Sequence, residues 1–153
     1  DYDNDGDKDL IISGTTADYA SSATRFYKND PLGRLIEDTN QDIIGVKASS
    51  SKFVDIDSDG DQDLIISGWN IIDNSLITKV YKNEPLGTFT EETSSNIAFG
   101  VAYGTIDAID IDMDGDLDIA IAGVDSVQNY ATDVLSTKGK IYRNDGGFRV
   151  SQR

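Results

Sequence analysis

The residues of this chain with the clearest chemical potential are carboxylates at alternate positions. Three windows, 1–9, 55–63 and 110–118, each carry Asp at every odd position and Gly at the sixth. Oxygen donors at this density suit Ca²⁺, which takes about six to eight of them, whereas Mg²⁺ keeps several waters. The windows therefore predict up to three Ca²⁺ sites, one per acidic loop. The candidate ligands are Asp1, Asp3, Asp5, Asp7, Asp9, Asp55, Asp57, Asp59, Asp61, Asp63, Asp110, Asp112, Asp114, Asp116 and Asp118.

Each position of a window has an expected role. Asp at positions 1, 3 and 5 can wrap one ion, and Gly permits the sharp turn. Position 7 would donate its backbone carbonyl, and Asp at position 9 would close the shell. An EF-hand is excluded because it needs Glu at position 12 and a helix on each side. Position 12 is here Ile12, Ile66 and Ile121, and the flanking residues are typical of strands.

The acidity of the chain is concentrated in these three windows. The 153 residues include 28 Asp or Glu and 13 Lys or Arg, for a net charge of −15. The windows hold 15 Asp and one Lys, so the remaining 126 residues sum to −1. A nucleic-acid partner is disfavoured because phosphate backbones need clustered Lys and Arg. Loading three Ca²⁺ would bring the net charge to −9.

Composition also excludes several kinds of catalyst. The chain has no His and no Cys, so it lacks Ser–His and Cys–His pairs and thiolate metal sites. The carboxylates outside the loops that could do acid–base work are Glu91 with Glu92, and Asp73 with Asp107. Adjacent residues of a strand point to opposite faces, which is a poor geometry for that work. We therefore expect no catalytic residue and no enzymatic activity. We also expect no membrane insertion, because no apolar run approaches the ~20 residues of a span.

Short apolar runs ending in Gly follow every acidic loop, at 10–14, 64–68 and 119–123. The loops recur after 54 and then 55 residues, and a later Tyr-Lys/Arg-Asn sequence recurs with them. Such a period indicates a propeller or another stacked array. The second copy reads as four strands, at 51–56, 64–69, 76–82 and 88–93. The prediction is an all-β fold of three four-stranded antiparallel blades, a partial ring whose first blade lacks its first strand. The blades would span 1–47, 48–102 and 103–153.

The combined pattern resembles a known family of repeats. The sequence D-x-D-x-D-G-D-x-D-[LI], an apolar strand, Y-[KR]-N and a Gly turn are similar to FG-GAP and VCBS-type repeats. Those repeats build Ca²⁺-binding β-propellers in integrin α-subunits and in secreted bacterial proteins. The resemblance implies Ca²⁺ at the Asp residues of each loop. The Phe-Gly…Gly-Ala-Pro sequence of the integrin type is absent apart from Phe99-Gly100, and Asp at position 7 is closer to the bacterial version.

Closed propellers have about four to eight blades, so three blades do not complete a ring. We therefore expect the chain to be part of a larger propeller, with the remaining blades of the parent chain as partners. The alternative is that a second copy closes the ring, because unpaired edge strands invite pairing.

We expect the chain to be a calcium-stabilised extracellular module that functions in adhesion or in protein or carbohydrate binding. The alternative is a non-catalytic propeller domain appended to a secreted carbohydrate-active enzyme or toxin. The ligand would be an extracellular protein or glycan, and the location a cell surface, in our interpretation a bacterial one.

Residues that would contact a ligand are sought in the long connections at 15–24 and 124–137. The candidates are Tyr19 and Tyr130 in these connections and Trp69, which opens the matching connection in the second copy, because aromatic rings stack on sugars and anchor proteins. The alternative for Trp69 is packing between blades. The Asn of each Tyr-Lys/Arg-Asn sequence is expected to serve the turn that follows it.

Overall fold

The structure is a computed structural model that describes residues 1–84, 87–126, 136–148 and 150–152. Within these ranges the chain is all-β, as predicted, and contains no helix. None of the described residues therefore lies in a helix with the length and apolarity that a bilayer crossing requires. The strands are β1 (Leu10–Thr15), β2 (Ser22–Asn29), β3 (Leu35–Asp38), β4 (Lys47–Val54), β5 (Asp63–Asn70), β6 (Ser75–Glu84), β7 (Thr88–Glu91), β8 (Ala102–Ile109), β9 (Asp118–Val124), β10 (Thr137–Asn144) and β11 (Val150–Gln152).

The strands form three antiparallel sheets that follow one another along the chain. The first sheet has the order β1-β2-β3, the second β4-β5-β6-β7 and the third β8-β9-β10-β11. Within each sheet, strands that follow one another in sequence pair with each other, which is the meander of a propeller blade. The predicted blades are confirmed, with four strands in the second and third sheets and three in the first.

All four strands predicted for the second sheet are present, but β4 begins earlier than expected, at Lys47. The β4–β5 register shifts between Lys47 and Ser50, and Ala48 there has a positive φ of 47°. The third sheet repeats this bulge, with a register shift between Ala102 and Thr105. Such bulges let a strand continue past an irregular residue. The residue types of Ala48 and its counterpart Tyr103 do not predict a bulge.

The three sheets pack against one another through two hydrophobic cores. The core between the first and second sheets contains Tyr2, Phe26, Val46, Leu64, Ile66, Tyr81 and Phe89. The core between the second and third sheets contains Val54, Ile56, Ile65, Val80, Phe99, Val101, Ile106, Ile119, Ile121, Tyr142 and Val150. Successive side chains of a strand point to opposite faces, so Leu64 and Ile66 enter one core and Ile65 the other. The second sheet is therefore covered on both faces.

Candidate metal centres

The three acidic loops share one backbone conformation. The Gly at the sixth position has a φ between 95° and 99° in each loop, which confirms the predicted sharp turn. The fourth position is also left-handed, with φ of 59° at Asn4, 60° at Ser58 and 63° at Met113. This second left-handed residue was not predicted, because the three side chains have no chemistry in common. Two left-handed residues in close succession curl each loop around its own carboxylates.

Each loop brings three carboxylates together, with oxygens that all lie within 4.8 Å of one another. The groups are Asp1, Asp3 and Asp5; Asp55, Asp57 and Asp63; and Asp110, Asp112 and Asp114. Positions 1, 3, 5 and 9 are thus represented. The side chains of Asp7, Asp61 and Asp116, at position 7, belong to none of these groups. Their backbone N–H groups donate to the carboxylate at position 5, at distances of 2.9 to 3.1 Å.

The carboxylate at position 9 has a structural role that was not predicted. In the second loop, Asp63 is fully buried and accepts hydrogen bonds from the N–H of Ile56 (3.0 Å) and of Asn83 (2.9 Å). Asp9 and Asp118 accept the equivalent pairs of N–H groups. Position 9 therefore ties the start of its loop to the end of the third strand of the blade. Each of its oxygens keeps a second lone pair that a cation could use.

Burial raises the pKa of the Asp63 carboxyl to about 6, and its two N–H donors only partly offset that rise. A divalent cation beside this group would favour the ionised form. The pKa of Asp59 is lowered, chiefly because it accepts the N–H of Asp61. The pKa of Asp114 is lowered by the equivalent bond from Asp116. The second and third loops thus favour the ionised form of the carboxylate at position 5.

A basic side chain reaches into every acidic loop from the Tyr-Lys/Arg-Asn sequence of the same blade. Lys28 Nζ lies 3.0 Å from Asp3 Oδ2. Lys82 Nζ lies 2.5 Å from Asp57 Oδ2 and 3.2 Å from Asp59 Oδ2. Arg143 likewise contacts the carboxylates at positions 3 and 5 of the third loop, at 3.1 and 3.3 Å. Hydrogen bonding to Asp57 raises the pKa of Lys82, so this cation is permanent at neutral pH. Sequence reasoning missed these partners, although the recurrence of a basic residue at one position was a usable signal.

The donor set fits a calcium ion. Asp1 Oδ1 and Asp57 Oδ1 are buried and accept no hydrogen bond from the described residues. A buried carboxylate oxygen without a donor is costly, and a hard cation would satisfy it. All the clustered donors are carboxylate oxygens, which suit Ca²⁺ better than the softer transition metals.

Two of the candidate ligand-binding aromatic residues, Tyr19 and Trp69, lie apart from the acidic loops. Tyr19 is 78% exposed and has a positive φ of 58° in the β1–β2 connection. Trp69 is half-buried on β5, with Lys47 Nζ 4.0 Å from its ring centroid. Tyr130 falls outside the described residues.

The carboxylates considered for catalysis are occupied by local partners. Glu91 pairs with Lys79, and Asp107 pairs with Lys52. Glu92 accepts the N–H of Ser94, and Asp73 lies beside Asn70 in the β5–β6 turn. These contacts are ordinary surface ion pairs and turn bonds.

Comparison with models of protein families matches residues 55–121 to the model described as an FG-GAP-like repeat. Residues 55–121 carry an FG-GAP-like repeat. The matched segment contains the second and third acidic loops and the strands between them, so the resemblance seen in the sequence is confirmed for FG-GAP. Comparisons with curated proteins and with solved structures gave no match. The VCBS-type, bacterial character of the FG-GAP-like repeats remains a prediction.

Proposed function

We propose that the chain is a calcium-stabilised extracellular β-propeller module that binds protein or carbohydrate ligands, as in cell adhesion. One structural Ca²⁺ occupies each acidic loop in this proposal. The observation that carries it is the burial of Asp1 Oδ1 and Asp57 Oδ1, without hydrogen-bond donors, inside carboxylate clusters. Desolvated anionic oxygens that lack donors require a cation.

Stabilisation follows from what the loops connect. The second loop joins β4 to β5, and Asp63 also holds the backbone of Asn83 at the end of β6. Carboxylates at positions 1, 3, 5 and 9 would hold the ion. Its charge would neutralise repulsion between groups that folding brings together. A metal that binds only the folded state stabilises that state by mass action.

The extracellular location is proposed from the metal requirement. Loops with partly exposed carboxylates suit the weak affinities of extracellular calcium modules, about 10⁻⁴–10⁻³ M. The exposed ring of Tyr19 is available for stacking on a ligand. The ion pairs of Glu91 and Asp107 favour a binding module over a catalyst.

Thermal melting in EDTA, in Ca²⁺ and in Mg²⁺ tests the metal claim. At Ca²⁺ concentrations about 100-fold above the Kd, each ion should add about 2.7 kcal/mol to the free energy of unfolding. Mg²⁺ should add much less. Asp57→Asn should remove part of the Ca²⁺ effect, whereas Asp42→Asn, an exposed carboxylate outside the loops, should leave it intact. Identical melting in EDTA and in Ca²⁺ would contradict the proposal.

A further inference from the structure

The stack of three sheets has two largely apolar outer faces that none of the described residues covers. The apolar side chains on the outer face of the first sheet are Leu10, Ile12, Tyr27 and Leu35, and the Arg25–Glu37 ion pair lies on the same face. The apolar side chains on the outer face of the third sheet are Ile109, Ile111, Ala120 and Ile141. Six of these apolar side chains are exposed and the other two are half-buried. Each face is therefore wider than the isolated apolar residues that are ordinary on a protein surface.

Residues at the same repeat positions of the second sheet are buried by a neighbouring sheet. Leu10 and Ile12 are 38% and 51% exposed, whereas their counterparts Leu64 and Ile66 are 0% exposed beneath the first sheet. The outer face of the first sheet thus corresponds to the face of the second sheet that packs against the first sheet.

The outer face of the third sheet repeats the opposite surface. Ile109 and Ile111 are 56% and 41% exposed, whereas their counterparts Val54 and Ile56 are 4% and 1% exposed beneath the third sheet. Ile141 corresponds in the same way to buried Val80. The two outer faces therefore correspond to the two sides of one interface. The chain forms this interface twice, between its first and second sheets and between its second and third sheets.

A recurring hydrogen bond gives this interface a fixed register. Asn83 Nδ2 donates to the carbonyl of Tyr2 at 2.7 Å, and Asn144 Nδ2 donates to the carbonyl of Ile56 at 2.9 Å. Each bond joins one sheet to the second position of the preceding acidic loop. Asn29 stands at the donor position of the first sheet, and Ile111 stands at the acceptor position of the third loop.

We propose that a second copy of this chain docks head to tail, with the outer face of the third sheet of one copy on the outer face of the first sheet of the other. The occupant is a second copy because each face matches a surface that the same chain already covers, with apolar side chains at the same positions and the same Asn donor. The contact is heterologous, so it can close into a ring. Two copies contribute twice the three sheets of one chain, within the blade numbers of closed propellers. The proposal depends on the sheet faces and stands apart from the calcium proposal.

Sedimentation equilibrium of the full chain, in Ca²⁺, tests this interface. The expected mass is twice the 16.6 kDa of one chain. Ile12→Lys and Ile109→Lys each remove one face and should each be monomeric alone. Mixed in equal amounts, they should form a dimer, because one intact face remains on each chain and the two are complementary. Ile72→Lys, at a side chain 78% exposed in the β5–β6 turn, is the matched control and should dimerise like the unaltered chain.

Three results would overturn the proposal. The first is an unaltered chain that sediments as a monomer, which would leave both faces to some other partner. The second is an Ile12→Lys or Ile109→Lys chain that still dimerises alone, because that requires like faces to meet. The third is a mixture of the two variants that stays monomeric. Circular dichroism verifies that each variant is folded, and Leu35→Lys or Ile141→Lys replaces any that is not.

Discussion

The side-chain amide of Asn83 donates a 2.7 Å hydrogen bond to the backbone carbonyl of Tyr2, 81 residues earlier in the chain. Both residues are 1% exposed. The bond joins the end of β6 in the second sheet to the acidic loop of the first sheet. Asn83 also donates to the carbonyl of Gln62 at 3.1 Å, so one amide connects the loops of two sheets.

Asn83→Ala should lower the free energy of unfolding by about 1–3 kcal/mol, because it leaves buried carbonyl groups without a donor. Urea denaturation measures this loss. Asn40→Ala, at an exposed Asn outside the sheets, should change stability by less than about 0.5 kcal/mol. Equal effects of the two substitutions would show that the bond between the sheets contributes nothing.

Gly87 lies where the second sheet approaches the first acidic loop. It has a φ of +75°, and an added Cβ would lie 2.8 Å from Asp3 Cβ and 3.0 Å from the Tyr2 ring. Gly33 has the same φ of +75° with nothing within 4 Å. Gly33→Ala should lower the free energy of unfolding by about 1–2 kcal/mol, because Ala is strained in the left-handed backbone conformation. Gly87→Ala should lower the free energy of unfolding by about 1 kcal/mol more than Gly33→Ala does, because the added Cβ overpacks the site. Equal losses in chemical denaturation would mean that the loop moves aside freely.

Lys82 contacts the carboxylates of the second loop that would hold a metal, so it would compete with that metal. Lys82→Met removes a cation that contacts Asp57 and Asp59. Because partly exposed ion pairs contribute up to about 1 kcal/mol, Ca²⁺ should bind this loop about two- to fivefold more tightly. Lys79→Met removes the partner of Glu91 instead and is the matched control on the same strand. Calcium titration of the two variants compares them, and weaker binding to the Lys82→Met chain would mean that the lysine assists the metal.

Positions 3 and 9 of the second loop should respond differently when the metal is removed. In EDTA, Asp63→Asn should lower the free energy of unfolding by about 1–3 kcal/mol, because the new amide N–H₂ would face a backbone N–H donor. Asp57→Asn should change it by less than about 1 kcal/mol, because it loses only the partly exposed pair with Lys82. In Ca²⁺ both variants should lose stability. Equal stability of the two variants in EDTA would contradict the structural role of Asp63.

The sheets were largely predictable because every blade repeats one local pattern. An acidic loop, an apolar run and a polar turn fix where a strand begins and ends, so all four strands of the second sheet were located. The start of β4 was missed, because the bulge after Lys47 reflects pairing with β5 and not a local residue type. The alternation of Leu64, Ile65 and Ile66 between two cores was equally hidden within a continuous apolar run.

The candidate site was predictable in its residue types but not in its contacts. The acidic windows located the carboxylates that cluster, since these lie within a few residues of one another. Lys82 and Asn83, which contact Asp57 and Asp63, come from β6, 20 or more residues away. Apart from the recurrence of a basic residue in every copy, the sequence gives no signal of these contacts. The amide of Asn83 donates to the carbonyls of Tyr2 and Gln62, contacts that the expected role in the following turn did not predict. Asn144 does both, since its Oδ1 also accepts the N–H of Gly146 at 3.2 Å.

Equilibrium dialysis against buffered Ca²⁺, followed by elemental analysis, tests the central claim most directly. The three carboxylate clusters predict three bound Ca²⁺ per chain at saturation, and two per chain when Asp55 and Asp57 are both replaced by Asn. A chain that retains no Ca²⁺ above the level of the dialysis buffer at millimolar free Ca²⁺, or a variant that retains as much as the unaltered chain, would contradict the account.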